Sequence, residues 1–344
     1  MRSSFAGIRL SQRRLLLVAP SAQRQALVTG LRAAGVDVHW HRRPRARPGT
    51  DPYRLTALAR RWHGRVDAIL LITPTTISPT HACPGLVVAG LTVASLPADR
   101  IACLRPWLQA LPMAGRGGGW AVLAAGQHHY LGLSSDLARR LRASRRAVSR
   151  WSGDRIARSV LSGRLAQQPA LALYTGHGLP EGLPAFGGLE VADWSEPNRA
   201  TGTVALFSCR TFSTSTSTNT STSRSTRRTA GSKCRTTGPT NNPGFALRLA
   251  LEGRTAGVLA ASTEVDRRLN TAFARRLTDQ LAHADGDLAA ALVALHCSQA
   301  EVTRLRPVLD AYRVIGLPFA CPRPVRCPRH QRLTRLTPGG PFIV

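Results

Sequence analysis

The sequence predicts an α/β protein in which a mostly parallel sheet is flanked by helices. Apolar segments of strand length alternate with longer segments of helical spacing along most of the chain. The alternation falls into two series, separated by the Arg-Gly-Gly-Gly stretch at 116–119, which reads as a linker. Apolar residues make up 43% of the 344 residues, a share typical of a domain with a buried core. The chain is therefore expected to contain two α/β units.

The first series, residues 1–114, is predicted to be a smaller, Rossmann-like α/β domain. Its apolar runs have strand length, and the segments between them have helical spacing that stops at turn residues such as Gly35. It has no glycine-rich phosphate loop, so we assign it no cofactor. In chain order the predicted elements are strand 14–19, helix 22–34, strand 36–40, helix 53–63 and strand 66–72.

The second series, residues 115–320, is predicted to be the larger α/β domain. Two of its strands are unbroken apolar runs, which is typical of a parallel sheet buried on both faces. Residues 321–344 then form a basic C-terminal tail. In chain order the predicted elements are strand 120–125, helices 135–144 and 154–163, strands 169–175 and 203–208, helix 244–252, strand 256–262, helices 266–283 and 287–300, and strand 312–315.

Residues 211–240 interrupt this domain with a segment of almost only Ser, Thr, Arg and Gly. Such a composition buries too little apolar surface to offset the entropy lost on ordering, so we expect a disordered insertion. One interpretation is a flexible flap that is cleaved or modified. A drifted insertion without a role is the simpler one.

The formal charge of +29 predicts non-specific binding of polyanions. The positive residues are spread along the chain, and Lys233 is the only lysine, a bias that arginine-rich codon usage also produces. Aromatic residues are only 5%, so platforms for base stacking are scarce. A nucleic-acid-binding protein is therefore the less favoured class.

Cysteine content and hydropathy indicate a cytoplasmic protein without a membrane segment. The seven cysteines are an odd number at scattered spacing, which argues for reduced thiols. Cys321, Cys327 and His330 fit no standard zinc spacing, so we expect no metal. No apolar run approaches the ~18 residues that span a bilayer.

Two chemically capable residues follow apolar strands of the second domain. His177 follows strand 169–175 within Gly176-His177-Gly178, and Cys209 follows strand 203–208. If the strands are neighbours, the two residues face each other at the carboxyl edge of the sheet, where such sheets carry their active sites. An imidazole can support thiolate formation and protonate a leaving amine, and the Gly178 N–H could help to hold an oxyanion.

These strand ends resemble the motifs of caspase-like cysteine peptidases, and most closely gingipain-like and bacterial CHAT-type members. Tyr174, Gly176, His177 and Gly178 match a Tyr-x-Gly-His-Gly block, and Trp194 falls where a tryptophan often follows. The resemblance covers residues 120–318. One departure is the end of the closing strand, where Gly-Leu-Pro at 316–318 replaces a common Gly-Asp-Pro.

The resemblance implies a caspase-like sheet and a cysteine endopeptidase that acts on protein or peptide substrates without a cofactor. His177 would be the general acid and base, Cys209 the nucleophile, and the N–H groups of Gly178 and Cys209 would hold the oxyanion. A catalytically inactive interaction module is the alternative.

Four further residues are candidates for substrate binding. His128 and His129 end strand 120–125 and could line a cleft. Glu181 and Asp193 lie in an unusually acidic loop after His177 and would suit a basic substrate residue.

Overall fold

The chain folds around one continuous β-sheet. The computed structural model describes residues 13–42, 52–75, 85–116, 120–125, 128–144, 147–152, 158–184, 188–194, 196, 199–207, 243–284 and 287–319. The predicted insertion at 211–240 and the predicted tail at 321–344 lie outside these residues. None of the helices in the described ranges has the length and apolar character needed to cross a bilayer.

Within the described residues, the first half of the chain supplies five strands and three helices, in the order expected for parallel strands with crossover helices. They are β1 (Arg14–Ala19), α1 (Arg24–Ala33), β2 (Asp37–Arg42), α2 (Pro52–Trp62), β3 (Ala68–Thr73), β4 (Val87–Val88), β5 (Leu91–Pro97) and α3 (Ile101–Ala110).

The second half supplies six more strands among the described residues. Its elements are β6 (Trp120–Ala125), α4 (Leu131–Ala143), β7 (Ala147–Ser152), α5 (Arg158–Leu165), β8 (Leu171–Thr175), β9 (Thr201–Phe207), α6 (Phe245–Leu251), β10 (Thr255–Ala261), α7 (Arg267–His283), α8 (Leu288–His296), α9 (Gln299–Ala311) and β11 (Tyr312–Gly316). Short 3-10 turns precede α4 at His128–Tyr130 and lie at Val191–Asp193.

The strand order is β2-β1-β3-β5-β11-β10-β9-β8-β6-β7, and the short β4 pairs with β5. Strand β11 joins the two halves because it pairs in parallel with β5 and antiparallel with β10. The strands from β10 to β7 are parallel to one another. The carboxyl ends of these strands therefore lie at the edge opposite to that of β1, β3 and β5. The predicted boundary at residue 114 stays a prediction, since the sheet runs through both halves.

The core lies on the faces of this sheet. Every residue of the six central strands from β3 to β8 is buried, as expected for a parallel sheet covered on both faces. The fully buried Trp107 of α3 connects the halves, because its indole N–H donates to the carbonyl oxygen of Ala256 in β10 (2.9 Å). The larger apolar cluster accordingly contains residues from both halves.

The predicted fold class is confirmed, while several elements were predicted wrongly. Strands β5 and β7 were missed because neither is a continuous apolar run: β5 contains Thr92 and Ser95, and β7 reads Ala-Val-Ser-Arg-Trp-Ser. Helix α3 was missed because Pro106 lies inside it, and prolines usually end helices. The single helix expected at 287–300 is two helices, α8 and α9.

Candidate active site

His177 lies at the carboxyl edge of the second half of the sheet, two residues after β8. All five residues of β8 and the following Gly176 are buried, whereas His177 is exposed. The predicted placement of this histidine at a strand end is what the structure shows.

Tyr174 fixes the backbone of His177. Its ring is buried in β8, and its hydroxyl donates to the carbonyl oxygen of His177 (2.8 Å). Gly176 lies between Tyr174 and His177 in the sequence. The Tyr174 ring occupies the space that a side chain at this position would need. A Cβ built on Gly176 would meet the hydroxyl oxygen at 2.5 Å and Cζ at 2.7 Å. The Tyr-x-Gly-His order is thus explained by close packing.

Gly178 turns the chain away from the edge. It is buried, and among the described residues no acceptor is hydrogen bonded to its N–H. The next residues close a tight turn, in which the Leu179 N–H donates to the carbonyl oxygen of Gly182 (2.9 Å). A buried peptide N–H normally has an acceptor, so this one is available to a ligand oxygen.

The neighbour of β8 on one side is β9, which meets the condition that the sequence left open for the strands before His177 and Cys209. The two strands are parallel, and their register pairs Leu171 with Thr203 and Thr175 with Phe207. The Gly176 N–H then lies 3.5 Å from the carbonyl oxygen of Phe207, so the ladder continues past the end of β8. Cys209 itself lies outside the described residues.

Tyr130 and Arg267 complete the surroundings of His177. The His177 ring meets the Tyr130 ring edge-on at 5.6 Å between centroids. The Arg267 guanidinium lies over the same tyrosine ring, with Cζ 5.6 Å from its centroid, which is within cation–π range. Both belong to carboxyl ends of strands, because Tyr130 follows β6 and Arg267 follows β10.

Tyr130 precedes helix α4 and Arg267 begins helix α7. Ion pairs hold these two helices against each other. Arg275 of α7 pairs with Asp136 of α4 (2.8 Å), and Arg140 of α4 pairs with Asp279 of α7 (2.6 Å). Burial alone would raise the pKa of Asp136, but hydrogen bonds from Arg139 and Arg140 and the charge of Arg275 outweigh it, and the pKa is lowered. Asp136 therefore stays ionised at neutral pH.

A cavity of about 200 Å³ opens between these groups. It is lined by His129, Tyr130, Gly176, His177, Val265, Arg267 and Asn270. The volume is below the roughly 300 Å³ at which pockets for drug-sized ligands begin, so it matches one amino-acid side chain better than a cofactor.

The other candidate residues lie in different places. His129 lines the cavity, and His128 lies beside it in the same 3-10 turn. Glu181 is exposed in the turn after Gly178. The carboxylate of Asp193 accepts from the Glu190 N–H (2.9 Å) in a capping box. Neither acid lines the cavity, and their role in binding a basic residue stays a prediction.

Sequence analysis did not single out Tyr130, Arg267 or Asn270. Tyr130 and Arg267 could have been found by the criterion that located His177, because both follow a strand that ends at the carboxyl edge. Asn270 gave no such signal, because it lies one helical turn inside α7.

Comparison with known proteins gives structural matches only. No protein-family model matches the chain, and no curated protein matches it in sequence. A complex of the pro- and mature domains of RgpB from Porphyromonas gingivalis superposes with a TM-score of 0.64 at 12% identity, over 89% of this chain and 78% of that one. The Arg-specific cysteine proteinase gingipain R gives 0.64 at 12% identity, over 91% and 78%.

A third structure, described only as a protease, gives a TM-score of 0.58 at 11% identity, over 91% of this chain and 79% of that one. At such identities the agreement concerns the fold. The chain therefore has the caspase-like α/β fold of gingipain R, as the motifs after β8 and β9 predicted.

Proposed function

We propose that this chain is a cysteine endopeptidase that hydrolyses peptide bonds with His177 and Cys209. The observation that carries the proposal is the register between β8 and β9. Each paired residue of β9 is 32 positions after its partner in β8, as Thr175 and Phe207 show, and Cys209 is also 32 positions after His177.

If the same register continues for two more residues, it would set Cys209 opposite His177. Directly opposed residues of parallel strands point to the same face, on backbones roughly 4.8 Å apart. A proton can pass between two side chains at that spacing with little rearrangement. The hydrogen bond between Gly176 and Phe207 supports the continuation by one residue.

The proposed reaction has two steps. The Cys209 thiolate attacks the carbonyl carbon of the scissile bond, and the oxyanion accepts a hydrogen bond from the Gly178 N–H and a second from the Cys209 N–H. His177 gives a proton to the leaving amine as the C–N bond breaks. Water, deprotonated by His177, then cleaves the thioester and restores the thiol.

The change to leucine at position 317 does not remove a group from this edge. Leu317 is buried, and its N–H donates to the carbonyl oxygen of Ala256 (2.8 Å). The antiparallel register between β11 and β10 places Leu317 at the start of β10. His177 lies at the opposite edge of the sheet, where β10 ends at Ala261. Gly257 and Ala261 are four positions apart along β10, a distance on the order of 13 Å. This position gives no reason to expect an inactive relative.

Substitution of Cys209 tests the proposal. In Cys209→Ala, we expect peptide hydrolysis and covalent labelling by a thiol-directed peptide probe to be lost, with an unchanged free energy of unfolding. His177→Ala should lower the labelling rate by at least about a hundredfold, since general base catalysis contributes roughly 10²- to 10⁴-fold. Cys297→Ala is the matched control, because Cys297 is an exposed free cysteine at the end of α8.

Probe labelling that survives in Cys209→Ala would refute the assignment. Folded wild-type protein that hydrolyses no member of a broad peptide library would favour the inactive interaction module. Cytoplasmic localisation and non-specific polyanion binding stay predictions from composition.

A further inference from the structure

The cavity beside His177 has hydrogen-bond donors in its lining, and one of them is permanently charged. Arg267, Asn270 and His129 are among the residues that line it. Among the described residues that line it, none is acidic. A carboxylate has only acceptors when ionised, so its chemistry is complementary to this lining.

Arg267 is held in place yet keeps most of its donors. One Nη donates to the carbonyl oxygen of His129 (3.1 Å), and the guanidinium lies over the Tyr130 ring. These two contacts orient a group that carries five N–H donors. Within the described part of the chain, no carboxylate forms an ion pair with it. An oriented guanidinium with free donors is suited to binding a carboxylate through two oxygens.

Asn270 adds a buried donor to the lining of the same cavity. Only 9% of the residue is exposed, and its Oδ1 accepts from the Tyr312 hydroxyl (2.8 Å). This bond uses the amide oxygen inside the protein. The amide N–H₂ is left without an acceptor in the described ranges, at a residue whose remaining exposed surface lines the cavity.

The acidic loop after His177 does not offset these charges. The Asp193 carboxylate is engaged with the Glu190 N–H, and Glu181 is exposed on the turn. Asp266, next to Arg267, caps α7 by accepting from the N–H groups of Arg268 and Leu269 (2.9 and 3.0 Å). The carboxylates nearest in sequence are therefore committed or outside the cavity.

We infer that this cavity binds the carboxylate side chain of a substrate residue next to the scissile bond, and that Arg267 determines this specificity. The inference rests on the proposed function for the substrate being a peptide. The preferred substrates are then peptides with aspartate or glutamate beside the bond that is cleaved, and basic residues are disfavoured at that position by Arg267.

Matched peptides test the inference. Two pairs of fluorogenic peptides are compared. The members of the first pair differ only in having Asp or Asn before the scissile bond, and those of the second pair differ only in having Asp or Asn after it. A peptide of the same length with Arg is included. For one of the pairs we expect kcat/KM to favour Asp over Asn by about ten- to a hundredfold, the range for a hydrogen bond to a charged group. In Arg267→Ala the ratio should fall to near one. Arg268→Ala, an exposed neighbour outside the cavity, should keep the wild-type ratio.

Binding separates failure of this inference from failure of the peptidase. Fluorescence anisotropy with the same peptides and Cys209→Ala measures recognition without turnover. In one outcome, no peptide is hydrolysed, the Asp peptide binds more tightly than the Asn peptide, and Arg267→Ala abolishes this difference in binding. That outcome would refute the peptidase activity and support the carboxylate site. A preference for Arg, or an Asp preference that persists in Arg267→Ala, would overturn the carboxylate site.

Discussion

Replacing Gly176 with alanine adds one methyl group at the most crowded point beside His177. The new Cβ would lie 2.5 Å from the Tyr174 hydroxyl oxygen, 2.7 Å from Cζ and 3.1 Å from Cε1. Favourable contacts between such atoms are about 3.5–4.0 Å apart, so the ring must move by about 1 Å. Tyr174 is only 2% exposed, so moving its ring disturbs the packing around it. The φ angle of Gly176 is not in the left-handed region, so the cost is steric.

Two costs add for Gly176→Ala. Overpacking a well-filled core costs about 1–3 kcal/mol. The displaced ring also loses the hydrogen bond to the His177 carbonyl oxygen, which contributes about 1 kcal/mol. We therefore expect the free energy of unfolding to fall by about 2–4 kcal/mol. Hydrolysis should fall further than stability alone explains, because the backbone of His177 loses its anchor.

Urea denaturation followed by tryptophan fluorescence measures the first effect, and probe labelling under native conditions measures the second. Tyr174→Phe removes only the hydrogen bond and should cost about 0.5–1.5 kcal/mol. Gly163→Ala is the matched glycine control, because it lies within α5 with no atom within 4 Å of its Cβ position. It should leave stability unchanged or raise it by up to about 1 kcal/mol.

A Gly176→Ala protein within about 0.5 kcal/mol of wild type would refute the packing argument. Normal labelling kinetics in a destabilised Gly176→Ala protein would refute the role of Tyr174 in positioning His177.

Two further predictions concern stability. Burial raises the pKa of Asp287 in spite of its ion pair with Arg13, so the native state holds this proton to higher pH than the unfolded state does. The wild type should therefore lose stability relative to Asp287→Asn as pH rises above about 4, while asparagine keeps the cap of α8. Urea unfolding between pH 4 and 7 measures this, and a wild type that gains stability relative to Asp287→Asn as pH rises would contradict it. Trp107→Phe removes the indole N–H that donates to the Ala256 carbonyl oxygen, which then keeps the Leu317 N–H as its donor, and it opens a void between the halves. It should lower the free energy of unfolding by about 2–4 kcal/mol in the same assay, and a loss below about 1 kcal/mol would show that this contact does not join the halves.

The fold class could be predicted because its signals are local. In β8 and β9 the apolar runs are continuous, since both faces of a central parallel strand are covered. The residues that follow such runs fall at the edge of the sheet, so His177 was found from the sequence alone. Where the local signal conflicts with the fold, prediction failed: α3 and α9 contain Pro106 and Pro307 and form because tertiary packing outweighs the local cost.

The sequence by itself therefore determined the α/β class, most of the central strands, and the placement of His177 at a strand end. Only the tertiary structure decided that β11 joins two sets of parallel strands that run in opposite directions within one sheet, that β8 pairs with β9 at an offset of 32 residues, and that Tyr130 and Arg267 meet at His177. The physical reason is that burial and periodicity are properties of one segment, whereas strand order depends on contacts between segments far apart in the chain. Tyr130 and Arg267 are more than a hundred residues apart, and nothing near either one encodes the other. Their contact exists only after β6, β8, β9 and β10 have formed one edge.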